Sequence, residues 1–148
     1  MPDLPIQEIQ LLRAAYTAFN ARDIDATLAL MTQDVAWPKA FKGGFVRGPE
    51  EVRAYWTEQW SEINPQVEPV AFYPEVTGRI IVEVHQVVHD LTGAVLADEL
   101  VGHRFTFAHA LIQAMEVGPP PSSDPSALQF SEAELLTSAA ISASAQYR

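Results

Sequence analysis

The chain has 148 residues, a net charge of −10, 48% hydrophobic and 19% charged residues, and no cysteine. That length and composition suit one globular core, and the lack of cysteine excludes disulfides, thiolate metal sites and a cysteine nucleophile. The acidity repels phosphate backbones and anionic lipid surfaces, so neither nucleic acid nor a membrane is an expected partner.

The amino terminus, Met1-Pro-Asp-Leu-Pro-Ile, has no basic region leading into an apolar run, and a cytoplasmic location is the expectation. Ile6, Ile9, Leu12, Tyr16 and Phe19 recur at helical spacing and predict a first helix between Pro5 and Arg22. Asp23 is placed to cap a second, shorter helix running to the Thr32-Gln33-Asp34 break. Val35 to Trp37 reads as a short strand stopped by Pro38, and the Gly43-Gly44 stretch as a loop or irregular edge. Gly48-Pro49-Glu50-Glu51 opens a third helix, with proline and two carboxylates where a first turn favours them. Its stripe of Val52, Tyr55, Trp56, Gln59 and Trp60 runs to Asn64-Pro65, which ends it.

From Val67 the apolar period shortens to two, predicting antiparallel strands at Val67 to Val76, Arg79 to His89, Val95 to Phe107 and Leu111 to Val117. Asp90-Leu91-Thr92-Gly93 supplies a three-residue hairpin turn with glycine in the left-handed position. Three helices followed by this meander predict an α+β domain, a cone-shaped roll of curved antiparallel sheet covered by the helices. Domain 1–117 gives way at Gly118 to a proline-rich linker and tail, 118–148, in which Ser131 and Glu134 form a capping box for a helix from Glu132 to about Ala145.

Three phrases, "AAYTAFNARDIDATLALMTQDVAW", "GPEEVRAYW" and "VEVHQVVHDLTGAVLADELVGHRFTF", resemble in content and order the SnoaL-like members of the nuclear transport factor 2-like superfamily. The resemblance covers about residues 6 to 117. It implies a pocket inside the cone and a choice of isomerase, dehydratase, cyclase, hydrolase or binding-module functions. Set against the ketosteroid isomerases of that superfamily, the helix-one tyrosine falls at Ala15, next to Tyr16. The general-base aspartate falls near Lys39, and the protonated aspartate of the oxyanion hole falls at His103. None of these three positions carries the isomerase residue itself, and steroid isomerisation is not expected.

If the turn pairs Asp90 with Ala94 and the ladder continues without interruption, His85 faces Glu99, Glu83 faces Val101 and Ile81 faces His103. One face then carries Glu83, His85, Glu99, His103 and Phe107, and the correspondence of His103 with a pocket position turns that face inward. The expected catalytic set is His103, oriented by Glu99, with His85 and Glu83. The expected ligand contacts are Tyr16, Trp37, Phe41, Trp56, Trp60 and Phe107, which could equally be ordinary core aromatics. The opposite row, Val82, Val84, Val88, Leu96 and Leu100, calls for a second cover and predicts a homodimer. No motif has metal-ligand spacing, and no metal or cofactor is expected. The expected partner is a hydrophobic, oxygenated small molecule; the alternative is a non-catalytic dimeric ligand carrier or assembly module.

Overall fold

The computed structural model describes residues 5–39 and 43–121. The elements run α1 (Ile6–Asn20), α2 (Ile24–Leu28), β1 (Met31–Pro38), β2 (Phe45–Arg47), α3 (Gly48–Trp60), β3 (Ile63–Pro74), β4 (Ile80–Asp90), β5 (Val95–Ala108) and β6 (Leu111–Gly118). The strands form one six-stranded sheet in the order β2-β1-β6-β5-β4-β3. This is the expected α+β roll with helices over one face of a curved sheet. The sheet is mixed, however, because β1 runs parallel to β6 while every other neighbour is antiparallel.

Local chemistry explains most boundaries. The Asp23 carboxylate accepts the Ala26 amide at 3.1 Å and starts α2. Pro49 and the carboxylates of Glu50 and Glu51 open α3, where Glu51 also takes the Arg47 amide at 2.7 Å. Asn64-Pro65 does not terminate α3 as expected. The helix ends at Trp60, and Pro65 sits inside β3, an edge strand that tolerates a residue without an N–H. Asn20 clamps α1 over the sheet, its side-chain amide donating to the Val67 carbonyl at 2.6 Å and its oxygen accepting the Val67 amide at 2.9 Å.

The β4–β5 hairpin decides which side chains face the helices. Its turn forms as the sequence indicates, with the Asp90 amide bonded to the Ala94 carbonyl at 2.8 Å and Gly93 at φ 99°. His89 then faces Val95, but Val88 faces Ala97, so Leu96 is an extra residue on β5. This bulge shifts everything beyond it by one place: Val82 faces His103, Glu83 faces Gly102, His85 faces Leu100 and Gln86 faces Glu99. The uninterrupted register expected from the turn is therefore wrong past Val88.

The inner face carries Ile80, Val82, Val84, Gln86 and Val88 from β4 with Val101, His103 and Phe105 from β5, all buried, against Leu12, Tyr16, Val52 and Trp56 of the helices. The row proposed as a dimer surface is split, since Val82, Val84 and Val88 lie in the core while Leu96 and Leu100 are exposed on the other side. Gly102 explains how the chain leaves β6. A Cβ there would stand 2.3 Å from the Pro119 carbonyl oxygen, so the segment after Gly118 packs over the outer face at this glycine. Pro119 and Pro121 are buried, and the first prolines of the expected linker are part of the domain's packing. The expected tail helix lies outside the described residues. Among the described residues no helix is long and apolar enough to cross a membrane.

Candidate functional site

A narrow cavity lies between the inner face of the sheet and the helices. Tyr16 and Phe19 of α1, Tyr55, Trp56 and Gln59 of α3, Trp37 of β1, Gln86 of β4, and His103 and Phe105 of β5 line it. Its volume is about 70 Å3, several times the roughly 10–15 Å3 that one water requires. Its walls are aromatic edges and faces. Trp37 meets Trp56 edge-on at 5.3 Å between ring centroids, and Tyr16 meets Phe105 edge-on at 6.0 Å.

The polar centre of this cavity is a buried pair: the Tyr16 hydroxyl lies 2.7 Å from His103 Nδ1. Both side chains are about 95% shielded, at 5% and 6% exposure. Burial holds the imidazole at a pKa of about 4, below its ordinary 6.5, and pushes the phenol well above 10. Both groups are consequently neutral at pH 7. The phenol has one proton and no other acceptor among the described residues, so the tautomer that satisfies it has Tyr16 donating to Nδ1. The ring proton then sits on Nε2, which has no protein partner among the described residues. The pair thus leaves one ring N–H unengaged on a residue that lines the cavity.

The other expected catalytic residues are elsewhere. His85 lies on the outer face, 44% exposed, with Nε2 2.7 Å from an Asp98 carboxylate oxygen. Glu83 also belongs to the outer row, opposite Gly102, and is buried there. Both corrections follow from the Leu96 bulge. Glu99 does share the inner row, but it faces Gln86 toward the hairpin turn, four residues from His103 along β5. At about 3.3 Å per residue that is roughly 13 Å, too far to orient the imidazole. Partial burial raises the Glu99 pKa.

Of the expected ligand contacts, Tyr16, Trp37 and Trp56 line the cavity. Trp60 stacks behind Trp56 at 5.8 Å and borders a neighbouring cleft instead. Phe107 packs against the core cluster without lining the cavity, and Phe41 lies outside the described residues. Sequence reasoning did not place Tyr55, Gln59 and Gln86 at the cavity. A buried glutamine in an otherwise aliphatic strand row was the available signal for the last of these. Among the described residues no group of three or more His, Asp or Glu side chains is placed to hold a metal ion.

Residues 12–115 match the model of the SnoaL-like domain. The chain belongs to the SnoaL-like family. No curated protein matches it at a significant level. Among solved structures, this SnoaL-like chain is similar to an NTF2-like protein of unknown function from Burkholderia pseudomallei: 26% identity over 79% of this chain and 93% of that one, TM-score 0.67. TerC co-crystallized with polyporic acid shares its fold at 21% identity, 84% and 99% coverage and TM-score 0.68. So does Rv0760c from Mycobacterium tuberculosis in complex with estradiol-17beta-hemisuccinate, at 18% identity, 75% and 92% coverage and TM-score 0.66. Against the isomerase pattern, the SnoaL-like chain keeps a helix-one tyrosine within reach of the third position, because Tyr16 bonds His103 even though Ala15 occupies the aligned place. Among the described residues no carboxylate lines the cavity.

Proposed function

We propose that this SnoaL-like domain binds an apolar, planar, oxygen-bearing small molecule and holds one of its oxygens against the Nε2–H of His103. The observation that carries the reading is the Tyr16–His103 pair, a neutral donor buried in an aromatic cavity. Such a donor stabilises charge that grows on a carbonyl oxygen during isomerisation, ring closure or dehydration, because it is pre-aligned and needs no reorganisation. The ligand complexes of TerC and Rv0760c support an apolar, oxygenated ligand for this fold.

His103 acts in this reading as donor and not as base. Its neutral form dominates above a pH of about 4, and its Nδ1 already accepts from Tyr16. One observation favours a second reading, a carrier without chemistry: among the described residues no Asp or Glu lines the cavity to take a proton from carbon. The outer face, with Leu96 and Leu100 exposed, supports a homodimer in either case.

Native mass spectrometry of the purified protein, followed by identification of any ligand released, tests the reading. A planar oxygenated compound retained by wild type and lost in His103→Ala is expected. An empty protein that takes up no such compound would contradict it. Recovery of the added compound unchanged favours the carrier, and recovery of an isomer or dehydrated product favours the enzyme.

A further inference from the structure

Beside the aromatic cavity, and sharing Ile63 as a wall, lies an open cleft of about 510 Å3 bounded by Arg22, Trp60, Asn64, His89 and the Asp90–Gly93 turn. Arg22 follows the end of α1 in a left-handed conformation, φ 63°, and lies half-buried with its guanidinium carbon 4.9 Å above the Trp60 ring and 5.7 Å from that of Phe19. Among the described residues its hydrogen bonds go only to neutral acceptors: the Phe19 carbonyl at 3.3 Å, the Asn64 side-chain oxygen, and the Pro65 carbonyl at 2.6 Å.

A guanidinium has five N–H donors, so these three bonds leave two over. No carboxylate pairs with Arg22 among the described residues, although the chain has 19 acidic residues against 9 basic ones. Burial without a counter-charge lowers its pKa. Asp90, the one carboxylate among the described residues that line the cleft, is engaged in its own turn, accepting the Thr92 amide at 2.8 Å, the Thr92 hydroxyl at 2.6 Å and the Ala94 amide at 3.0 Å.

We propose that the cleft is a carboxylate-binding site, in which Arg22 receives the acid group of an aromatic or polycyclic organic acid. This rests on the reading of the adjacent cavity as a site for flat apolar molecules. Trp60 lies against the guanidinium, while the bonds to Asn64 and Pro65 take both Nη2 hydrogens and fix its direction, so a carboxylate meets a single charge-assisted donor, the Nε–H or the remaining Nη1–H. The ligand class is therefore an amphipathic acid: a flat body for the aromatic region and an anionic end for Arg22.

The test uses 2-naphthoate and its neutral isostere 2-naphthamide, titrated calorimetrically into the full chain. Wild type is expected to prefer naphthoate by about tenfold, the size of one charge-assisted pair. Arg22→Gln should abolish that preference while leaving naphthamide affinity within about twofold, and Arg22→Lys should keep part of it. Because Arg22→Gln also loosens the tie between α1 and β3, a second measurement on wild type alone raises the salt concentration, which should shrink the preference for naphthoate. Equal affinity for the two probes, a preference that survives in folded Arg22→Gln, or one insensitive to salt overturns the carboxylate site. Naphthamide binding without preference leaves the cavity reading standing, whereas failure of both probes to bind overturns both.

Discussion

The two faces of the β4–β5 hairpin are built from one alternating sequence yet differ in kind. The inner face carries five buried side chains of β4 and the buried His103, and Ile80, Val82 and Val84 among them belong to the core cluster. The outer face carries His85 bonded to an exposed Asp98, with Leu100 beside it at 42% exposure. A single extra residue, Leu96, decides which chemistry enters the cavity. The location of a catalytic-looking residue in a strand is thus a property of ladder register more than of residue type.

Charge insertion breaks the comparison most severely. Val84→Arg buries an unpaired cation at a site with 0% exposure and should cost more than about 3 kcal/mol or prevent folding, as read by chemical denaturation. Leu100→Arg on the opposite face should change monomer stability by less than about 0.5 kcal/mol. Comparable losses from the two would return the faces to the uninterrupted register.

Acid should come next. In the unfolded chain the His103 imidazole protonates near pH 6.5, while the folded chain resists protonation until about 4. Between these values the unfolded state binds more protons, so stability falls as pH drops through that window and levels off below it, by about 3 kcal/mol in all. His103→Phe should remove most of this acid limb in pH-dependent denaturation, and His85→Ala should leave it in place.

Gly102→Ala is expected to cost about 1–3 kcal/mol, because the added carbon meets backbone at Pro119 and not a flexible side chain. A neutral substitution there would show that the segment after Gly118 does not cross the outer face. Tyr16→Phe should lower ligand affinity by about 1 kcal/mol with a similar loss of stability, since it leaves His103 Nδ1 without its donor and frees the tautomer. His85→Ala should be smallest, within about 0.5 kcal/mol by thermal unfolding, because exposed pairs contribute little.

Much of this was legible in the sequence. The Asp23 cap, the Pro49 start of α3 and the Asp90–Gly93 turn each follow from local chemistry that no distant contact overrides. The ladder register was not read, although its signal was present. Ile80, Val82, Val84 and Val88 are even-numbered, while Val101, His103 and Phe105 are odd-numbered, and the turn pairs residues of like parity. Both apolar rows can face the core only if one bulge intervenes, and nothing in Val95-Leu96-Ala97-Asp98 marks where. The Tyr16–His103 bond was hidden for a different reason: the partners are 87 positions apart, and only the seating of α1 on the sheet by Asn20 brings them together.

The ring nitrogens of His103 offer the most direct test of the central claim, that a neutral, Tyr16-bound imidazole presents its Nε2–H to the cavity. Two-dimensional 15N–1H spectra of the histidine rings, followed with pH, should show His103 held in the Nε2–H tautomer and still neutral at a pH of about 5, where an unperturbed imidazole is mostly charged. A His103 ring that protonates near pH 6.5, or that carries its proton on Nδ1, would contradict the account.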